Sequence, residues 1–159
     1  MDVAQWMDPD RRPKRIVFFG IDGGRGDYLE RFEAPVMRGL AERGVGRGDK
    51  VAVLMYNRLE VVESFFACQK LGACPVPVNF RLAASELAYI LENSDSVAVL
   101  TDDELVSLAL RSTSELAAVR FVASTGRPVQ GALSYEDLVA GGSPEDPGVD
   151  VDEDDLAFL

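Results

Sequence analysis

The candidates for chemistry in this sequence are carboxylates, because its 159 residues contain no histidine. Three acidic groups stand out: Asp22 after an apolar run, the cluster 102–104 after another, and Asp150, Asp152, Asp154 and Asp155 near the end. A carboxylate at the end of a strand suits a hard or borderline cation. However, one carboxylate is not a site, the cluster 102–104 is explained by a favourable charge at a helix start, and the last group reads as a solvated loop. We therefore assign no catalytic residue and no metal ligand.

Glycine-rich turns are the second class of candidate, since their N–H groups can hold phosphate. Gly44-x-Gly46-x-Gly48 precedes a predicted strand, which is the wrong context for a nucleotide fingerprint and indicates a turn. The stretch Gly20–Gly26 has the better position, after a strand and before a helix, but its spacing matches no complete fingerprint. We therefore assign no cofactor-binding residue.

Polar residues also follow two predicted strands, in loops where functional residues are common. Asn79, Phe80 and Arg81 form one such loop, and Tyr56 and Asn57 form the other. Asn57 has a structural explanation, because Asn57-x-x-Glu60 has the spacing of a helix cap.

Apolar runs of strand length alternate with stretches of helical periodicity, which predicts an α/β fold: a mostly parallel sheet with helices on both faces. The helix after Asn57 is apolar almost all round, apart from a narrow stripe that includes Ser64, and this predicts burial between layers. Pro35 predicts either a break or a new helix with Pro35 in its first turn. The predicted strands are Arg15–Ile21, Val51–Met55, Cys74–Val78 (irregular or at an edge because of Pro75 and Pro77), Val97–Leu100 and Arg120–Ala123; the predicted helices after the one at Asn57 are capped by Ser85, opened by Thr101 or Asp102, and placed at Tyr135–Val139.

The chain divides into four parts on this reading. Residues 1–14 are a loose, charged lead-in, and residues 15–140 form one α/β unit. Residues 141–155 are an acidic connector rich in proline and glycine, and residues 156–159 begin another apolar strand. Such a strand at a terminus predicts a truncated domain, because an uncovered strand edge invites aggregation.

A formal net charge of −11 argues against a nucleic-acid or anionic-membrane surface. No apolar run reaches the ~20 residues that span a bilayer. The composition fits a very soluble cytoplasmic protein, and the shortage of lysine beside plentiful aspartate suggests adaptation to high salt. Cys68 and Cys74 match no metal or redox spacing and are predicted to be buried, reduced thiols.

Two blocks of the sequence closely resemble the N-terminal region of the adenylate-forming enzymes, and the acyl-CoA synthetases in particular. The first is GVGRGDKVAVLMYN (Gly44–Asn57) and the second is QKLGACPVPVNFRL (Gln69–Leu82), followed by Glu86 and Tyr89–Leu91. The resemblance implies a parent enzyme that activates a small-molecule carboxylic acid, a fatty acid or related carboxylate, with ATP and Mg²⁺ and passes the acyl group from AMP to coenzyme A.

In the relatives, the phosphate loop and the catalytic lysine lie beyond the position of Leu159. The resemblance therefore implies that this chain, alone, is inactive. Two alternatives stay open. One is a non-enzymatic α/β binding module. The other concerns Arg15–Val45, which resembles the start of phosphodiesterases of the alkaline phosphatase superfamily and would make Asp22 a metal ligand.

Overall fold

The structure, a computed structural model, describes residues 35–140 with Val149, Leu156 and Leu159, and from Pro35 to Ser124 its strands alternate with helices. The elements are α1 (Pro35–Glu42), β1 (Lys50–Leu54), α2 (Leu59–Lys70), β2 (Cys74–Pro77), α3 (Ala84–Asn93), β3 (Ser96–Thr101), α4 (Val106–Thr113), β4 (Phe121–Ser124), β5 (Leu133–Ser134) and α5 (Tyr135–Ala140). The predicted strands and helices of this region are thus confirmed within a few residues. Only the short strand β5 had no counterpart in the prediction.

The strands form one sheet in the order β2-β1-β3-β4-β5, and every pair is parallel. The predicted fold class is therefore confirmed. Among the described strands, β2 lies at an edge of the sheet, one of the two positions that its prolines predicted, because proline cannot donate to a backbone ladder.

Helices cover both faces of the sheet, which explains why β1 is apolar at consecutive positions. Val51 and Val53 face a core shared with α1, α2 and α5. Ala52 and Leu54 point the other way, into a core shared with α3 and α4. Successive side chains of a strand alternate between faces, so burial on both sides requires an unbroken apolar run.

The two helix boundaries that depend on proline and glycine are confirmed. Helix α1 begins at Pro35, so the proline occupies a first turn, where the missing N–H costs nothing. Helix α2 ends at Lys70, Leu71 is its C-cap, and Gly72 follows with a φ of +65°, the left-handed conformation that glycine adopts without strain.

Both side-chain caps predicted from sequence are wrong. Helix α2 begins at Leu59, and the residue before it is Arg58, so Asn57 lies one position too early to cap it. Helix α3 begins at Ala84, which places Ser85 inside the first turn. The N–H of Ala83 instead donates to the Glu86 carboxylate over 2.8 Å, so this helix start is held by its glutamate.

Helix α2 is not enclosed between layers by the described residues, contrary to prediction. Its fully buried residues are Ser64, Ala67 and Cys68, while Phe66 is 36% exposed. Ser64, predicted to lie on the polar stripe, tolerates burial because its hydroxyl donates to the Glu60 carbonyl over 2.6 Å.

Several predictions concern residues that the structure does not describe and stay predictions: the strand Arg15–Ile21, the turn Gly20–Gly26 with Asp22, and the connector 141–155. At residues 156–159, only Leu156 and Leu159 are described, and they are 52% and 55% exposed. Among the described helices, none has the length and apolar character needed to cross a membrane.

Candidate functional site

The strand order reverses direction between β1 and β3. From β1 the chain goes outward to β2, and it then returns to the other side of β1 to build β3, β4 and β5. In open α/β sheets, ligands bind in the crevice outside the carboxyl ends of the strands at such a reversal. The segments at this point of the described sheet are those that follow β1 and β3, with the segment after β4 next to them.

A buried carboxylate, Asp102, joins these three segments. It directly follows β3, and it is 1% exposed. Its Oδ2 accepts the Tyr56 N–H over 2.7 Å, and its Oδ1 accepts from Arg58 Nη1 over 2.6 Å and from the Thr125 hydroxyl over 3.4 Å. A buried charge is tolerated only when it is paired and hydrogen-bonded, and Asp102 meets both conditions.

Arg58 bridges the crevice from the side of β1. Beyond its bond to Asp102, its Nη1 lies 3.3 Å from the Thr125 hydroxyl, and its Nε donates to Glu60 over 2.9 Å. The hydrogen bond to Asp102 is the main reason that the pKa of Arg58 is raised. The guanidinium therefore stays charged and holds the ends of β1, β3 and β4 together.

The structure corrects the prediction for the cluster 102–104. Helix α4 begins only at Val106, so Asp102 does not stabilise a helix start. It is instead committed to three donors, which leaves it unsuited to bind a metal or to act as a base. Sequence reasoning missed its partnership with Arg58. The available signal was an aspartate directly after a strand that is buried on both faces.

An open cleft of about 410 Å³ lies beside this network, at the carboxyl ends of β1 and β2. Most of its lining is apolar, and Asn57, Asn79 and Phe80 contribute from the two loops that the sequence singled out; the other lining residues are Val53, Met55, Val61, Phe65, Pro77 and Val78. The Tyr56 and Phe80 rings meet edge to face with 4.7 Å between their centroids, and the Arg81 guanidinium lies 5.3 Å from the Phe80 centroid. The structure thus brings the two predicted loops together.

The remaining candidates do not form a site in the described residues. Gly44 and Gly48 have φ values of +80° and +84°, as expected of the predicted turn. Cys68 and Cys74 are buried free thiols, and burial raises the pKa of both. Among the described residues, no group of three histidine, cysteine or acidic side chains could hold a metal ion.

The sequence profile described as "AMP-binding enzyme" matches residues 34–159. The chain is 34% identical to a 3-oxocholest-4-en-26-oate–CoA ligase of Rhodococcus rhodochrous, over 94% of this chain and 28% of that protein. It is 36% identical to a long-chain-fatty-acid–CoA ligase of Thermus thermophilus, over 77% of this chain and 23% of that protein.

Solved structures give the same picture. The fold matches a long-chain-fatty-acid–CoA ligase (FadD1) of Archaeoglobus fulgidus with a TM-score of 0.73 and 25% identity, over 93% of this chain and 29% of that chain. It also matches the N-terminal domain of FACL13 from Mycobacterium tuberculosis with a TM-score of 0.71 and 27% identity, over 82% of this chain and 32% of that chain.

The chain spans between 20% and 28% of the length of the first curated relatives that it matches. The match to the Rhodococcus ligase covers 94% of this chain. The unaligned part is shorter than the segment Arg15–Val45, so this segment also aligns with a ligase. Together, the profile match, the relatives and the shared α/β fold show that the chain belongs to the family of AMP-binding, adenylate-forming enzymes.

Proposed function

We propose that this chain is part of an ATP-dependent acyl-CoA synthetase. In the reaction, a carboxylate oxygen of the acid attacks the α-phosphorus of ATP and pyrophosphate leaves. The thiol of coenzyme A then attacks the acyl carbonyl and AMP leaves. The observation that carries the proposal is the profile match over residues 34–159, supported by relatives whose names describe CoA ligases of fatty, aromatic and hydroxylated acids.

The role of the described residues in this activity is structural. The Arg58–Asp102 network fixes the carboxyl ends of three strands around the point where the strand order reverses, which is where α/β sheets bind ligands. The described residues do not fit ATP or Mg²⁺ by themselves, because Asp102 is buried and already accepts from three donors, and because they contain no group of three side chains that could hold a metal ion. We therefore derive no catalytic step from them.

The proposal includes the inactivity of these residues alone. The 159-residue chain is incubated with ATP, Mg²⁺, labelled pyrophosphate and, in turn, decanoate, benzoate and 4-hydroxybutyrate. Label incorporated into ATP is then measured. We expect background exchange with every acid. Exchange above background with any of them contradicts the inactivity, although it supports the ligase chemistry.

A second observation tests the ligase itself. We expect the coding sequence downstream of Leu159 to encode a stretch rich in serine, threonine and glycine that ends near a lysine, in frame or one base out of frame. Such a loop holds phosphates through its N–H groups and a nearby cation. A downstream sequence without it contradicts the proposed activity.

A further inference from the structure

The outer border of the sheet, at β2, lacks the hydrogen-bond donors that another strand would need. Strand β2 uses alternate residues to pair with β1. The Cys74 N–H donates to the backbone carbonyl of Asp49 over 2.8 Å, and the Val78 N–H donates to the backbone carbonyl of Val53 over 3.0 Å. Along a strand, the backbone N–H and C=O groups of successive residues point alternately to the two sides of the strand. The residues that do not pair with one neighbour therefore point to the opposite side. Pro75 and Pro77 are therefore the residues of β2 whose backbone faces outward.

Proline has no backbone N–H, so this border presents carbonyl groups without donors. An additional strand would have to accept hydrogen bonds from both of these positions. The register of β2 places both prolines opposite β1 residues, Pro75 opposite Val51 and Pro77 opposite Val53, so neither lies in a bulge. The Pro77 side chain is exposed on a face of the sheet, whereas that of Pro75 is buried.

We infer that the β2 border is an edge of the sheet with which no further strand pairs, whether from this chain or from a second copy. It accepts single donors such as water or a lysine or arginine side chain. Natural sheets need such protection because an unpaired apolar edge associates with other chains. A strand that extends the sheet must then join at the opposite border, where Leu133 and Ser134 of β5 carry ordinary N–H groups.

Amide hydrogen exchange of the wild-type chain tests this inference directly. The Val78 N–H faces β1 and is bonded, so we expect it to be protected. Asn79 is the next residue in the outward series, so we expect its N–H to exchange at nearly the rate of an unfolded chain. Protection of Asn79 equal to that of Val78 shows a partner on this border and overturns the inference.

Restoring the donors provides a second test. We compare wild type with Pro77→Thr and with Pro75→Val/Pro77→Thr by sedimentation velocity over a range of concentrations. Pro128→Ala is the matched control, because Pro128 is exposed in a loop. We expect the double variant to self-associate roughly tenfold more tightly than wild type and the control to be unchanged.

Circular dichroism establishes that each variant is folded. If the double variant is not, the single variant decides, because the Pro77 side chain is exposed and its replacement leaves the core intact. Equal self-association of wild type and of the folded proline variants overturns the inference. This outcome is independent of the ligase activity, which neither measurement involves.

Discussion

Arg58 and Asp102, 44 residues apart in the sequence, meet through a 2.6 Å contact between Nη1 and Oδ1. The two ends of the pair differ in environment, because the Arg58 side chain is 39% exposed and that of Asp102 is 1% exposed. Asp102 also holds the Tyr56 N–H over 2.7 Å. The pair therefore fixes the loop after β1 against the end of β3, at the point where the strand order reverses.

We expect Asp102→Ala to lower the free energy of unfolding by about 1–3 kcal/mol, because it leaves the Tyr56 N–H without its acceptor. We also expect Arg58→Ala to be destabilising, because it leaves the buried Asp102 carboxylate without its charged partner. Urea unfolding of wild type, both single variants and the double variant gives the coupling energy between the two residues.

The pair Arg120–Asp49 is the matched control for this cycle. Its Nη1–Oδ2 distance is 3.0 Å, but its side chains are 44% and 24% exposed. Exposed ion pairs contribute about 0–1 kcal/mol, so we expect a smaller coupling energy there. A coupling for Arg58–Asp102 no larger than that of Arg120–Asp49 contradicts the role of the buried carboxylate.

Gly39 lies where α1 meets α5. A β-carbon added at Gly39 would lie 2.3 Å from the carbonyl oxygen of Leu138, which is backbone and cannot rotate away. Alanine is normally better than glycine in a helix by about 1 kcal/mol. We nevertheless expect Gly39→Ala to destabilise the fold by about 1–3 kcal/mol, because overpacking forces the two helices apart.

Gly46→Ala is the control for Gly39→Ala. A β-carbon at Gly46 meets nothing within 4 Å, and its φ is not in the left-handed region. We expect no loss of stability there, and a gain of up to about 1 kcal/mol from reduced freedom of the unfolded chain. Thermal melting of both variants checks the pair of predictions. If Gly39→Ala melts at or above the wild-type temperature, the close packing of α1 and α5 is wrong.

The alternation of apolar runs with helical periodicity was sufficient to predict the sheet and its two covered faces. This prediction succeeds because a strand buried on both sides, such as β1, must be apolar at every position. Gly72 and the two prolines of β2 could also be interpreted, because they act through local backbone geometry. These features depend on neighbouring residues in the sequence and can be read from it.

The contacts at the carboxyl edge could not be predicted in this way. The pairing of Arg58 with Asp102 depends on β3 lying beside β1, and no local pattern encodes that neighbour. The cap assigned to Asn57 failed for a related reason. The chain stays extended at Arg58, whose guanidinium is paired with Asp102, and α2 begins only at Leu59.

The two thiols should react slowly in the folded chain. Cys68 and Cys74 are 0% and 2% exposed, and burial is the main reason that their pKa values are raised. The thiolate is the reactive form, so both low access and a raised pKa slow modification. With an aromatic disulfide reagent at pH 8, we expect rapid release of two equivalents in urea and almost none without it. Rapid modification of either thiol under native conditions contradicts the packing of α2 against β2.

The Tyr135 hydroxyl should make the fold sensitive to alkali. Tyr135 is 1% exposed, its Oη lies 3.3 Å from the Glu63 carboxylate and 3.5 Å from Ser64 Oγ, and burial raises its pKa above the ordinary value of 10.0. The folded state therefore keeps this proton at a pH where the unfolded state loses it. Stability from this group is complete below pH 10 and falls as the pH rises above it.

We expect the free energy of unfolding of wild type to decline above about pH 10, and that of Tyr135→Phe to decline less steeply. The variant should be less stable near neutral pH by about 1 kcal/mol, because it loses the hydroxyl's hydrogen bonds. Tyr89→Phe is the control, since the Tyr89 side chain is 67% exposed. Urea unfolding of the three proteins between pH 7 and the onset of alkaline unfolding measures the slopes. Equal slopes for wild type and Tyr135→Phe would show that this hydroxyl ionises as readily in the folded chain as in the unfolded one, and would contradict its burial against α2.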